Sequence, residues 1–297
     1  MTKMSLVLPG VLVLLIVATI TPPATAASVQ STATGTHPIE YQIGCPPAMV
    51  WDGSLDYFKA HGFSTVHLVV SDQLPYKAEL AKIKSLGMKG IIDIEVPIWD
   101  GGKKAGVPIQ NYASYFQSLK AAGWEYVASE GGREGDVSYL MNFFKGYVNY
   151  NCDQCGLWRS MHLQSGTVMN SWESYYPQEW PSIQQGTKES AALGKENGIL
   201  AGVWGGSSNL IRQNSLIGGS PSYKGMLDWS YANGVGFTHF NVWLSSNSNG
   251  LAAYKQLGFE QIVAQLQRYY PAKTATPTIK ATPTIKATPT IKATTKV

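Results

Sequence analysis

Short, β-branched apolar runs alternate with helix-forming stretches along residues 38–270, and glycines stand at the joins. Strand-like runs are read at 39–45, 65–70, 90–96, 124–129, 148–151, 160–165, 199–204 and 237–244. Helical stretches are read at 51–61, 76–86, 109–122, 136–147, 181–197, 223–233 and 251–269. Gly62, Gly87, Gly123, Gly198 and Gly234 each follow a helical stretch and precede a strand, where a left-handed residue closes the last helical turn. Helices between successive strands imply that the strands are parallel. Eight strand candidates in about 230 residues predict an α/β fold, a single (β/α)8 barrel. An open doubly wound sheet is the alternative, but no Gly-rich dinucleotide fingerprint follows the first strand. The residues between 151 and 160 are too few for a full helix, so units five and six are read as degenerate.

The two ends do not read as fold. Lys3, an apolar run over 6–20 and Ala24-Thr25-Ala26 match an export leader cut after Ala26, with an uncleaved anchor as the alternative. A short segment, 27–37, leads into the barrel. Residues 271–297 form a tail in which A-T-P-T-I-K repeats at 275–280, 281–286 and 287–292. Recurrent proline and few apolar groups predict an extended, disordered stalk. The expected location is secreted or at the cell surface, with the lysines of the tail suited to attachment at an anionic wall or membrane; a passive spacer is the other reading. The barrel is expected to be a monomer.

The formal charge is +4, yet Lys3 and the tail lysines 273, 280, 286, 292 and 296 carry six positive charges, which leaves the body at −2. The basic balance therefore belongs to the ends, and no basic stripe marks a nucleic-acid surface. Of three cysteines, Cys152 and Cys155 are the disulfide candidate in C-D-Q-C. Cys45 pairing with either, free thiols, and a three-cysteine metal site with His162 remain open. No cofactor motif and no metal-ligand spacing such as H-E-x-x-H is present.

In this type of barrel the chemistry collects at the C-terminal strand ends. The third strand reads G-I-I-D-I-E-V-P, so Asp93 and Glu95 share a face of an otherwise apolar run. Two acids there are costly unless paired or used. Strand four ends at Ser129-Glu130-Gly131-Gly132, strand five runs toward Asp153, strand six holds His162 and Gln164, and strand seven ends at Trp204. Strand eight puts His239, Asn241 and Trp243 on one face and Phe240, Val242 and Leu244 on the other. Asp93, Glu95 and Glu130 therefore converge as candidate catalytic carboxyl groups, with Glu130 as proton donor and Glu95 or Asp93 as its partner. Trp and Tyr make up 25 of 33 aromatic residues, and many fall in predicted loops. Such rings, apolar on the face and polar at the edge, suit sugars. Trp99, Asp153, His162, Gln164, Trp204, Asn241 and Trp243 are the candidate substrate-binding residues.

Asp93 and Glu95 in D-I-E-V, Glu130 in A-S-E-G-G, and Trp204 and Trp243 at late strand ends give the chain a pattern that resembles the glycoside-hydrolase-like TIM barrels as a superfamily. The resemblance covers most of 39–269 as architecture. It implies a glycan or polysaccharide ligand and O-glycosyl hydrolysis by a carboxyl pair. The chain departs from it where Trp204-Gly205 takes the place of a second catalytic glutamate on strand seven. Two other functions compete: a non-catalytic glycan-binding or structural barrel, and a metal-dependent hydrolase using Asp93, Glu95, His162 and His239.

Overall fold

The computed structural model describes residues 37–94, 108–130, 134–151, 164–173, 179–203, 222–244 and 259–273. The leader, residues 27–36 and the tail from 274 lie outside the described residues. All described residues fall within the unit Thr34–Val297.

The strands are β1 (Glu40–Cys45), β2 (Phe63–Val70), β3 (Lys89–Ile94), β4 (Tyr126–Glu130), β5 (Gly146–Asn151), β6 (Thr167–Glu173), β7 (Glu196–Val203) and β8 (His239–Leu244). Each pairs in parallel with the next, and β8 pairs with β1, so the sheet closes into an eight-stranded barrel. The helices are α1 (Ser54–Ala60), α2 (Lys77–Ser85), α3 (Ala113–Ala122), α4 (Glu134–Leu140), α5 (Trp180–Ala192), α6 (Tyr223–Ala232) and α7 (Phe259–Tyr269). This is the (β/α)8 architecture that the alternation predicts, and among the described residues no helix lies between β5 and β6.

Three boundaries differ from the sequence reading. The sixth strand is Thr167–Glu173 rather than 160–165, because Gln164 and Gly166 turn the chain ahead of it. The fourth helix stops at Leu140 rather than 147, since Gly146 and Tyr147 already pair with β4. The long helix stops at Ala192, and Gly194, at φ 71°, takes the stop assigned to Gly198. Gly62, Gly87, Gly123 and Gly234 do adopt positive φ at their helix ends.

Gly198 has another reason to be glycine. It faces His239 across the β7–β8 pair, and a Cβ there would lie 2.3 Å from the His239 carbonyl oxygen. Gly186 on α5 does the same for Trp172 on the outer face of β6, where a Cβ would fall 2.2 Å from the indole ring. That notch seats α5 on the sheet, and the Trp172 indole N–H donates to Asn197 Oδ1 at 3.0 Å. Trp172 is thus a packing residue.

Two apolar clusters follow from the alternation of strand side chains. Outward residues such as Ile43, Val66, Ile92, Val127, Phe240 and Val242 pack on the helices. Inward residues Ile91, Ala128, Val148, Tyr150, Met169, Leu200 and Trp243 fill the barrel. At the floor, the segment after α7 joins β1: Lys273 N–H donates to Ile39 O at 2.9 Å and Ile39 N–H to Pro271 O at 3.0 Å.

Gly198→Ala and Gly186→Ala are each expected to destabilise the barrel by about 3 kcal/mol or more, because rigid neighbours occupy the space a Cβ needs. Gly135→Ala, in open space on α4, should be neutral or stabilising by about 0.5–1 kcal/mol. Urea unfolding of the three variants checks both signs.

Candidate functional site

The site builds from the register. Going round the barrel, each residue pairs with one a step lower on the next strand, so inward residues of alternate strands share a level. The top level, at the C-terminal mouth, comprises positions Val69, Glu130, Glu173 and Trp243. The level below comprises Gly44, Asp93, Tyr150 and Leu200. His67, Ala128, Ser171 and Asn241 come next, then Gln42, Ile91, Val148 and Gly198.

Carboxyl residues therefore stand at or next to the mouth ends of three strands. Asp93 is penultimate on β3 and fully buried. Glu130 is the last residue of β4, two positions beyond inward Ala128. Glu173 is the last residue of β6 and 4% exposed. Glu173 was not among the candidates read from sequence. Its signal lies in T-V-M-N-S-W-E, where Met169, Ser171 and Glu173 alternate inward, but polar Asn170 on the outer face obscures the strand pattern.

Trp243 stands beside them. Its ring lies over Gly44, where a Cβ would come within 2.6 Å. Tyr150 meets it edge-on, with centroids 5.2 Å apart and planes at 76°. The Tyr150 hydroxyl donates to His67 Nδ1, and His67 Nε2–H donates to Gln42 Oε1 at 2.8 Å. The Gln42 amide in turn points at Met169 Sδ, 3.5 Å away. One hydrogen-bonded line thus runs from the barrel middle to the mouth aromatics, and it requires a neutral His67 protonated on Nε2. Burial holds the His67 imidazole well below its usual range, and the proximity of His239 and Lys89 disfavours a second positive charge there.

A second buried imidazole lies nearer the floor. His239 Nε2 meets Ser171 Oγ at 2.9 Å, and its Nδ1 meets Thr238 Oγ1 at 3.2 Å. Thr238 Oγ1 also donates to the Asn197 carbonyl at 3.3 Å, so it accepts from Nδ1–H. Burial pushes His239 down to about 3, with Lys273 and Lys89 adding to the effect.

Of the residues expected at the site, Asp93, Glu130 and Trp243 occupy register positions in the two uppermost levels. Asn241 faces inward two levels below Trp243. It is fully buried, and neither amide atom has a hydrogen-bond partner among the described residues. Gln164 lies at the opposite end: its carbonyl accepts from Thr167 N–H in the turn before β6, and from Lys195 Nζ. The displaced sixth strand is the reason. Glu95, Trp99, Asp153, His162, Trp204, Cys152 and Cys155 lie outside the described residues. Cys45 is a free buried thiol, pushed up to about 12 by burial and the nearby Asp52 charge, which corrects the option of its pairing. His239 sits four levels below the top of the barrel, so it does not join Asp93 in one ligand set. Among the described residues no three His, Cys, Asp or Glu groups are placed to hold a metal ion.

No protein-family profile and no curated protein matches the sequence. Among solved structures, the chain is similar to a β-mannanase from Streptomyces thermolilacinus bound to mannohexaose, with 16% identity and a TM-score of 0.48 over 73% of this chain and 82% of that one. It is similar to a β-mannanase from Thermomonospora fusca at 12% identity and a TM-score of 0.46, over 76% and 84%. Phosphoribosyl anthranilate isomerase from Thermus thermophilus gives 10% identity and a TM-score of 0.45, over 77% and 100%. The activities in their names differ.

Two predictions follow from the polar interior. The unfolded His239 takes its proton near pH 6.5 and the folded one only near 3, so stability is full above the first value and declines as pH falls toward the second. His239 alone should remove about 2 kcal/mol between pH 7 and 5, and equal urea stability at the two values would contradict this. Asn241→Leu should raise Tm by a few degrees in a thermal melt, since it replaces an unpartnered buried amide with an apolar group on the same branched skeleton.

Proposed function

We propose that this chain is an exported glycoside hydrolase that cleaves a polysaccharide or surface glycan with a carboxyl pair at the barrel mouth. One observation carries the reading: Glu130 and Glu173 end their strands and Asp93 stands one residue before the end of its own, at register positions of the two uppermost levels. Hydrolysis of an acetal needs a group that delivers a proton to the leaving oxygen as the C1–O bond breaks. It also needs a second carboxylate that attacks C1 or takes a proton from the attacking water. Glu130 is assigned the first role and Asp93, or Glu95 beyond it, the second. Glu173 enters as a third acid across the mouth, able to orient the attacking water or a ring hydroxyl. Trp243, braced by Tyr150, offers an apolar wall beside them. The leader and the Thr-Pro tail support export to where such polymers occur.

The test uses the full chain on a panel of neutral and acidic polysaccharides, reading new reducing ends with and without EDTA. Wild type should cleave at least one polymer in EDTA. Glu130→Gln and Asp93→Asn should each lower kcat/KM by about 10²–10⁴-fold with the fold retained by circular dichroism. Gly135→Ala should leave it unchanged. Loss of cleavage in EDTA would turn the assignment to a metal hydrolase, and glycan binding without cleavage would turn it to a binding barrel.

A further inference from the structure

The turns that carry the chain from each helix into the next strand lie at the floor of the barrel, away from the carboxyl residues. The body is slightly acidic as a whole, yet this face is basic from β3 to β7. Lys84, Lys89, Lys120, Lys145 and Lys195 stand there against Glu125 and Glu196, while Lys188 and Glu189 cancel on α5. The first four lysines are exposed. Their head groups are held in place. Lys84 Nζ donates to the Gly123 carbonyl at 3.1 Å, and Lys120 Nζ to the Asn142 carbonyl at 3.2 Å. Lys89 Nζ lies 4.0 Å from the centre of the Tyr126 ring. These partners are neutral, so the charges persist. Lys145 meets a carboxylate, Glu125 Oε2 at 2.8 Å. Lys145 holds Glu125 below the usual carboxylate range, and Lys84 and Lys89 add to the effect, so one acid faces three lysines. Helix dipoles account for Lys84 and Lys120, which stand in the last turns of α2 and α3. They do not account for Lys89, which opens β3, or Lys145, which precedes β5.

Exposed aliphatic groups adjoin these lysines, which is an independent observation. Leu193, just after α5, is 56% exposed, and Val168, the second residue of β6, is 39% exposed. Contacts join them to the basic face. Val168 packs on Gly146, the residue after Lys145, where a Cβ would fall 2.8 Å from its methyl groups. Thr167 N–H and Lys195 Nζ both donate to the Gln164 carbonyl, and Lys195 follows Leu193 by two residues. The residues immediately before every strand are described, so the loops of the mouth do not enter this balance. The segments outside the described residues that join the floor do not offset its charge. Residues 152–163 carry one acid and one base, Asp153 and Arg159; residues 1–36 carry only Lys3; and residues 274–297 carry four lysines and no acid.

We propose that this floor is a docking face for an anionic lipid bilayer, with the lysines on the headgroups and Leu193 and Val168 at the acyl boundary. An anionic leaflet attracts each exposed lysine brought near it. An aliphatic side chain gains by leaving water at the headgroup boundary. A soluble polyanion uses the first attraction alone, so the aliphatic groups beside the lysines favour the bilayer. The two ends of the described chain also meet at this floor, where Ile39 bridges Ala272. The proposal holds whatever the carboxyl residues act on, since they lie at the opposite end of the strands.

The test sediments the full chain with vesicles of phosphatidylcholine alone, or with about 30% phosphatidylglycerol, in about 0.1 M salt. Wild type should bind the anionic vesicles and not the neutral ones. The triple variant Lys89→Gln, Lys120→Gln, Lys145→Gln should bind on the order of 100-fold more weakly. Glu125→Gln should bind about fivefold more tightly. Leu193→Ser should weaken vesicle binding about fivefold and leave binding to soluble long-chain polyphosphate unchanged. Vesicle affinity unchanged in the triple variant assigns the contact to the tail and overturns the floor. Leu193→Ser without effect on vesicles makes the face a polyanion site and overturns the bilayer. Absence of binding to anionic vesicles, or equal binding to neutral ones, overturns the proposal outright. If circular dichroism shows the triple variant unfolded, Glu125→Gln decides, and unchanged affinity there overturns the proposal.

Discussion

The staggered register of the closed sheet is the constraint on which this molecule depends. Each parallel pair steps its neighbour down by one residue, so distant segments deliver side chains to common levels inside the barrel. The carboxyl residues of β3, β4 and β6 share the mouth for this reason alone, although 80 positions separate Asp93 from Glu173. Shifting any strand by one residue would turn its acid onto the helix-packed face. The glycines that admit Trp243 and His239, Gly44 and Gly198, are what allow this register to close over large rings.

The barrel interior is polar for a fold of this kind. Gln42, His67, Ser171, His239 and Asn241 sit where branched apolar residues usually pack. Most are paired into lines that fix a tautomer, and a neutral imidazole in each line avoids a buried charge. The His67 line ends on Tyr150 and so on Trp243, so the orientation of an aromatic group at the mouth depends on an amide near the barrel centre. Asn241 does not fit that economy, and its unpartnered amide is the clearest place where stability has been given up.

Much of the fold was legible in the sequence, because helix stops and β-branched runs are local signals. Gly62, Gly87, Gly123 and Gly234 close helices as their spacing suggests. Gly198 shows the limit: a glycine before an apolar run reads as a helix stop, whereas its real cause is a histidine 41 residues later. The sixth strand was misplaced for a related reason. Its outward Asn170 hydrogen-bonds Ser190 on α5, so a polar residue occupies a sheet–helix interface that pattern reading expects to be apolar. That error carried Gln164 to the mouth and left Glu173 unseen. Asp93 and Glu130 were visible because each lies in or at the end of a run whose period is clear.

The floor of the barrel has a consequence for where the two ends of the fold lie. The last described residue, Lys273, is bonded to the residue that precedes β1, so the chain leaves the barrel beside its own beginning and on the side away from the mouth. Both ends of the described barrel therefore lie together at its base, opposite the C-terminal strand ends, and anything joined at either end starts from the face away from the carboxyl residues.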